Sequence, residues 1–168
     1  DQLILGLQRN KNVFVALLLG RNQDEYLFKP APEQWCMLEV LCHLLDEEKE
    51  DFRTRVDLVL ANPVQELPKF NPINWVSERS YLTQNFNKKL KEFIAEREAS
   101  VDWLMSLRKP NWNNAYNHPT LGPMSARLFL TNWLAHDYIH IRQINRLSYA
   151  YLEGLTEISL AYAGNFKA

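Results

Sequence analysis

Cysteine is scarce, long hydrophobic runs are missing, and neither sign of charge forms a block. Cys36 and Cys42 are the only cysteines in 168 residues, and six positions apart in one expected helix they project to different sides, too far apart for a disulfide. A reducing compartment fits this usage, and both read as small helix residues that behave as buried hydrophobes. The longest apolar run, Val13 to Leu19, falls well short of the roughly 20 residues that cross a bilayer. No basic segment followed by an apolar run and a small-residue cleavage site opens the chain, so the expectation is a cytoplasmic protein without a membrane partner. The 19 basic and 20 acidic residues are intermixed and leave a formal net charge of -1, which gives no electrostatic footprint for nucleic acid. Internal repeats, low-complexity segments and β-alternation of useful length are absent as well.

What the sequence does have is helical periodicity. A chain of this length that is 46% hydrophobic can bury one good core, so a single domain spanning residues 1–168 is expected. Leu3, Ile4, Leu7, Phe14, Leu17 and Leu18 mark a first helix that stops at Gly20. After Pro30 and Pro32, a long acidic helix is expected from near Glu33 to about Ala61, where Asn62-Pro63 opposes continuation. Pro63, Pro68 and Pro72 make the stretch from Pro63 to Val76 a long connection. Leu82, Phe86, Phe93, Val101, Leu104 and Leu107 mark a third helix from about Ser77 to Arg108, closed by Pro110. A loop from Asn111 to Gly122 leads to a fourth helix, from near Pro123 to about Leu147, with a short helix expected around Leu155 to Ala161. The pattern predicts an all-α four-helix bundle whose long loops allow parallel neighbours. Trp75, Trp103, Trp112 and Trp133 are assigned mostly to its core.

Two of the four histidines, His136 and His140, are spaced i, i+4, roughly 6 Å apart on one helix face, where both rings can reach one metal ion. Phe129, Trp133, Ile144 and Leu147 share that face, so the pair points inward. Two readings are open: a shared divalent metal, or two core histidines hydrogen-bonded to other helices. His43 is harder to place, because the apolar stripe Leu38, Leu41, Leu45 and Phe52 centres nearly opposite it while Val40, Asp46, Glu47 and Glu50 share its side. The wheel makes His43 a surface residue, unless that side faces a cleft. His118 reads as a solvated loop residue beside the fourth helix. The segment His136-Asp137-Tyr138-Ile139-His140 is not a zincin site, because Asp137 is one methylene shorter than the glutamate needed, and it projects about 100° from His136, away from the metal face. No histidine follows His140 to complete a metzincin site, and the Glu-x-x-His pairs of bundle di-iron centres are missing.

The run from Lys29 to Asp46, with Trp35 eight residues before His43, then His118 ahead of Leu121-Gly122, then His136-Asp137-Tyr138-Ile139-His140-Ile141-Arg142-Gln143-Ile144, resembles the DinB/YfiT-like superfamily. The resemblance covers nearly the whole chain in order. It implies an up-down-down-up four-helix bundle with one divalent metal ion, zinc, nickel or similar, held by His43, His136 and His140. The resemblance, not the periodicity, selects His43. Related members include S-transferases and isomerases that use the thiols bacillithiol or mycothiol.

Three nitrogen ligands leave a fourth position for water or substrate, as catalytic metal sites require. The expectation is therefore a metal-dependent enzyme acting on a small-molecule substrate, transferring a low-molecular-weight thiol or hydrolysing a bond. Asp46 and Glu47 are the candidate proton carriers; the other reading leaves both solvated. The competing function is a non-catalytic metal-binding or dimerisation module, and a homodimer is expected under either.

Overall fold

The protein is described by a computed structural model covering residues 2–164 and 166. Its long helices are α1 (Gln2–Leu18), a composite second helix, α6 (Phe86–Ser106) and α7 (Ala126–Thr156). The composite helix joins α3 (Met37–Glu47) to α4 (Arg53–Ala61) through one π turn, Glu48–Phe52. Two short helices, α2 (Gln23–Tyr26) and α5 (Pro72–Glu78), lie in the first two connections.

Local chemistry sets the boundaries, and several differ from the expected ones. The second helix starts at Met37, not near Glu33, because the Glu39 carboxylate reaches back 2.9 Å to accept from the Cys36 N–H. The expected third helix breaks into α5, a 3₁₀ turn (Tyr81–Thr83) and α6, each with its own start. Pro72 fits the first turn of α5 behind the Asn71 cap, and the Asn85 side chain caps α6 by accepting from the Lys88 N–H at 2.8 Å. The fourth helix begins three residues after Pro123, where Ser125 accepts from the Leu128 N–H at 3.0 Å, and runs to Thr156 instead of stopping near Leu147. Its tail forms a 3₁₀ turn at Leu160–Ala163 in place of the expected short helix.

A further correction is a small antiparallel hairpin of β1 (Ala115–His118) and β2 (Gly122–Ser125), where no strand was expected. It was hidden because four-residue strands containing Pro123 show no alternation. Gly122, at φ +75, closes the three-residue turn with a conformation few other residues adopt. The hairpin turns the chain into α7, and beside it the Asn114 amide donates to the Leu60 carbonyl at 3.1 Å, satisfying an acceptor at the end of α4.

The core has two apolar halves. One gathers Phe14 and Leu18 from the end of α1, α3, Phe86 to Phe93 at the start of α6, and Ile144 and Leu147 late in α7. The other gathers Ile4 and Leu7, Val56 and Val59 of α4, Val101 and Leu104, and Ala126 to Trp133. The start of α1 thus meets the end of α6 and the start of α7, while α3–α4 runs parallel to α6 and antiparallel to α7. This is the up-down-down-up order. The parallel pair α1 and α7 approaches closely at Gly6, where an added Cβ would lie 2.7 Å from Leu134 Cδ2. No helix among the described residues is long and apolar enough to cross a membrane.

Candidate metal centre

Between the two apolar halves lies a polar layer of buried side chains: Asn10, His43, Glu47, Glu48, Arg97, Ser100, Asp137 and His140. The second helix and α7 supply most of it. Every residue from Met37 to Leu45 is buried, because α3 is covered by α6, α7, α5 and the turn at Tyr81. That is why the wheel misplaced His43: on a helix enclosed on all sides, the centre of the apolar stripe does not mark the inner face. His43 is only 5% exposed, so the surface reading is overturned.

One ring nitrogen from each of His43, His136 and His140 lies within 4.8 Å of the other two. Nε2 of His136 is 3.3 Å from Nε2 of His43 and 3.0 Å from Nε2 of His140. Two nitrogens on a tetrahedral metal at about 2.0–2.1 Å would be about 3.3 Å apart, so the spacing fits a shared cation. The protonation pattern points the same way. Nδ1 of His140 is 2.8 Å from Gln143 Oε1, and an acceptor there favours the tautomer that carries its proton on Nδ1 and turns the Nε2 lone pair into the cluster. Among the described residues buried His43 Nδ1 has no hydrogen-bond partner, so none of them fixes the tautomer from the outer side of that ring.

Burial keeps all three rings neutral. It pushes His43 down to about 3 and His136 to about 2, and lowers His140 as well; the charge a neighbouring imidazole would carry adds to the shift in His43 and His136. Neutral imidazoles are the form that binds metal. Trp35 packs against His43 with ring centroids 5.0 Å apart, and Phe52 packs on His136 at the same distance, so the cluster has aromatic walls.

Glu47 closes the set. Its Oε2 is 3.2 Å from His136 Nε2 and its Oε1 is 3.7 Å from His43 Nε2. Burial raises its carboxyl to about 7, with Asp51 adding to the shift and Arg55 opposing it. Asp46, the other candidate proton carrier, is engaged elsewhere: it accepts from the Tyr81 hydroxyl at 2.7 Å and pairs with Arg79 at 2.8 Å. No described contact joins it to a histidine. His118 sits in β1, where its Nδ1 accepts from the Thr120 and Leu121 N–H groups, both at 3.2 Å, and so supports the hairpin turn.

Sequence reasoning missed the partners around the histidines. Gln143 had a readable signal, an amide three residues after His140 on the same helix face. The buried ion cluster next door had none. Arg97 binds both oxygens of Glu48 at 2.8 Å and both oxygens of Asp137 at 2.7 and 2.8 Å. Trp133 Nε1 donates to Glu48 at 2.9 Å, and the Asn10 amide donates to Asp137 at 3.2 Å. Asp137 therefore faces away from the histidine cluster, as its helical offset from His136 indicates.

A helical bundle of this order with three convergent histidines from its second and fourth helices defines a class of candidate metal proteins. The chain belongs to the DinB superfamily, whose family model matches residues 7–144. A solved structure of YfiT from Bacillus subtilis, described as a probable metal-dependent hydrolase with an unusual four-helix bundle topology, matches with a TM-score of 0.78. The match has 17% sequence identity over 89% of this chain and 85% of that one, so the likeness is one of fold. A comparison with curated proteins finds no match.

Proposed function

We propose that the chain is a metal-dependent enzyme in which His43, His136 and His140 hold one divalent cation and Glu47 carries the proton, and that it delivers a nucleophile, water or a small thiol, to an electrophilic small molecule. The observation that carries this reading is the convergence of three neutral Nε2 atoms at 3.0 and 3.3 Å, which a cation satisfies together. Hydrolysis has added support from what is said of YfiT; thiol transfer has the family resemblance.

In such a donor set a divalent cation supplies Lewis acidity, polarising a carbonyl and lowering the pKa of the nucleophile. The chain's own residues supply the rest. Gln143 holds His140 in the tautomer that presents Nε2, while Trp35 and Phe52 keep bulk water from the rings. Glu47, raised to about 7, is near its midpoint at neutral pH, so its carboxylate accepts a proton from the nucleophile and returns it to the leaving group. Asp46 takes no part in this transfer, since Tyr81 and Arg79 hold it.

The test is a screen of activated esters, amides and electrophiles, with water alone and with several small thiols, using zinc- or nickel-loaded wild type, chelated protein and His140→Ala. Turnover confined to the loaded wild type is expected. Equal rates in all three would reject metal-dependent catalysis. No turnover with any substrate would favour a non-catalytic metal-binding module.

A further inference from the structure

Beside the histidine cluster lies an open cavity of about 580 Å³, between the loop before α3 and the outer flank of α7. No histidine among the described residues lines it, yet two of its walls touch the cluster: the Trp35 ring packs tilted against His43, and Gln143 contacts His140. Its apolar wall is made by Trp35, Ile139 and Leu147; its polar outer wall carries Arg142 and Arg146, and among the described residues no acidic one lines it.

The two arginines stand one turn apart on the same face of α7, both exposed. Among the described residues neither makes an ion pair or a side-chain hydrogen bond, whereas Arg21, Arg53, Arg55, Arg79 and Arg97 each pair with a carboxylate. A concave, partly apolar site lined by two guanidinium groups without ion-pair partners suits an amphiphilic anion, because the planar donor fork matches carboxylate and phosphate oxygens. Along α7, Arg142 and Arg146 lie about 3 and 9 Å beyond His140 but about 160° and 120° around the helix from it, so this wall meets the histidines through Gln143 and Trp35.

We propose that this cavity recognises the substrate as a small organic acid, its carboxylate or phosphate held by Arg142 and Arg146 and its apolar body against Trp35, Ile139 and Leu147. That the ligand is the substrate rests on the proposed enzyme activity; that the cavity takes an anion does not.

The experiment is calorimetric or NMR titration of metal-free protein, at low salt, with phenylacetate, phenyl phosphate and the uncharged isostere phenylacetamide. Wild type and the double variant Arg142→Gln/Arg146→Gln are compared. At least one anion is expected to bind wild type about tenfold tighter than phenylacetamide, and the preferred anion tells carboxylate from phosphate recognition. The double variant should lose that preference, keep its weak binding of phenylacetamide and unfold at the wild-type temperature, since exposed side chains without partners carry little stability. A charge preference that is absent from wild type, survives in the double variant, or stays undetected with tens of millimolar probe would overturn the proposal. Zinc affinity, measured on the same proteins by competition with a chromophoric chelator, should be equal in both. If anion binding fails while zinc binding stands, only the recognition site falls. If zinc affinity is indifferent to His140→Ala while anion binding stands, the metal-enzyme reading falls instead.

Discussion

Two buried polar clusters sit side by side in the middle of the bundle, and consecutive residues divide between them. Glu47 and His136 face the histidine cluster; Glu48 and Asp137 face Arg97. The Arg97 cluster is closed: the guanidinium is matched to four carboxylate oxygens, and Trp133 and Asn10 add donors. The histidine cluster is open, with three ring nitrogens aimed at each other and one ring nitrogen of His43 unpartnered. A closed polar cluster fastens a fold, whereas an open one of neutral donors has the arrangement that the proposed cation would complete. The π turn at Glu48–Phe52 lies where the two meet, and the helix there buries adjacent carboxylates toward different partners.

The contrast breaks most readily at Arg97. Arg97→Leu leaves the buried carboxylates of Glu48 and Asp137 without their cation, and losing one partner of a buried ion cluster costs about 3–5 kcal/mol. Denaturant unfolding of metal-free protein should register that loss. A change below about 1 kcal/mol would mean that the closed cluster does not fasten the bundle.

His136→Ala should do the opposite. Metal-free stability is expected to stay within about 1 kcal/mol, because the change removes crowded ring nitrogens along with the packing it forfeits. Zinc affinity should fall more than about 100-fold, beyond what removing a ligand's outer partner does. Competition titration against a chelator checks the second figure and unfolding the first. A destabilised variant with unchanged zinc affinity would exchange the roles of the two clusters.

The same contrast explains what the sequence could reveal. His136 and His140 were legible because both lie on one helix, where 3.6-residue periodicity fixes their common face. His43 was not, since wheel logic assumes a solvent side and α3 has none; the resemblance of the Trp35 to Asp46 run to a known family found it instead. The bundle was legible from four periodic stretches, while the breaks at Arg79 and Ser80, the hairpin and the π turn depend on tertiary partners. Arg97 lies in a polar stretch, and its two carboxylates lie 49 and 40 residues away in sequence. Long-range pairing of that kind leaves no local pattern.

Gln143 offers a smaller effect on the open side. Gln143→Ala removes the acceptor that fixes the tautomer of His140, and zinc affinity should fall about tenfold. Gln143→Glu keeps an acceptor at the same position and should retain most of the affinity. Equal losses in both variants would indicate a packing effect and not a hydrogen bond to Nδ1.

Glu47 gives the finest distinction, because it borders the open cluster and titrates where the histidines do not. Burial holds His43 and His136 at about 3 and 2 and lowers His140 from its ordinary value, so proton competition for the rings fades as pH rises toward neutral. Glu47, raised to about 7, is neutral below that pH and a carboxylate above it. A negative charge beside the histidine nitrogens favours a cation, so zinc affinity should rise as pH increases through about 7, by about three- to tenfold. In Glu47→Gln the rise through pH 7 should be lost, leaving the affinity above pH 7 near that of wild type at the acid end. Chelator competition across that range reads both curves. A wild-type curve without the rise would detach Glu47 from the cation, and a rise that persists in Glu47→Gln would assign the titration to the rings.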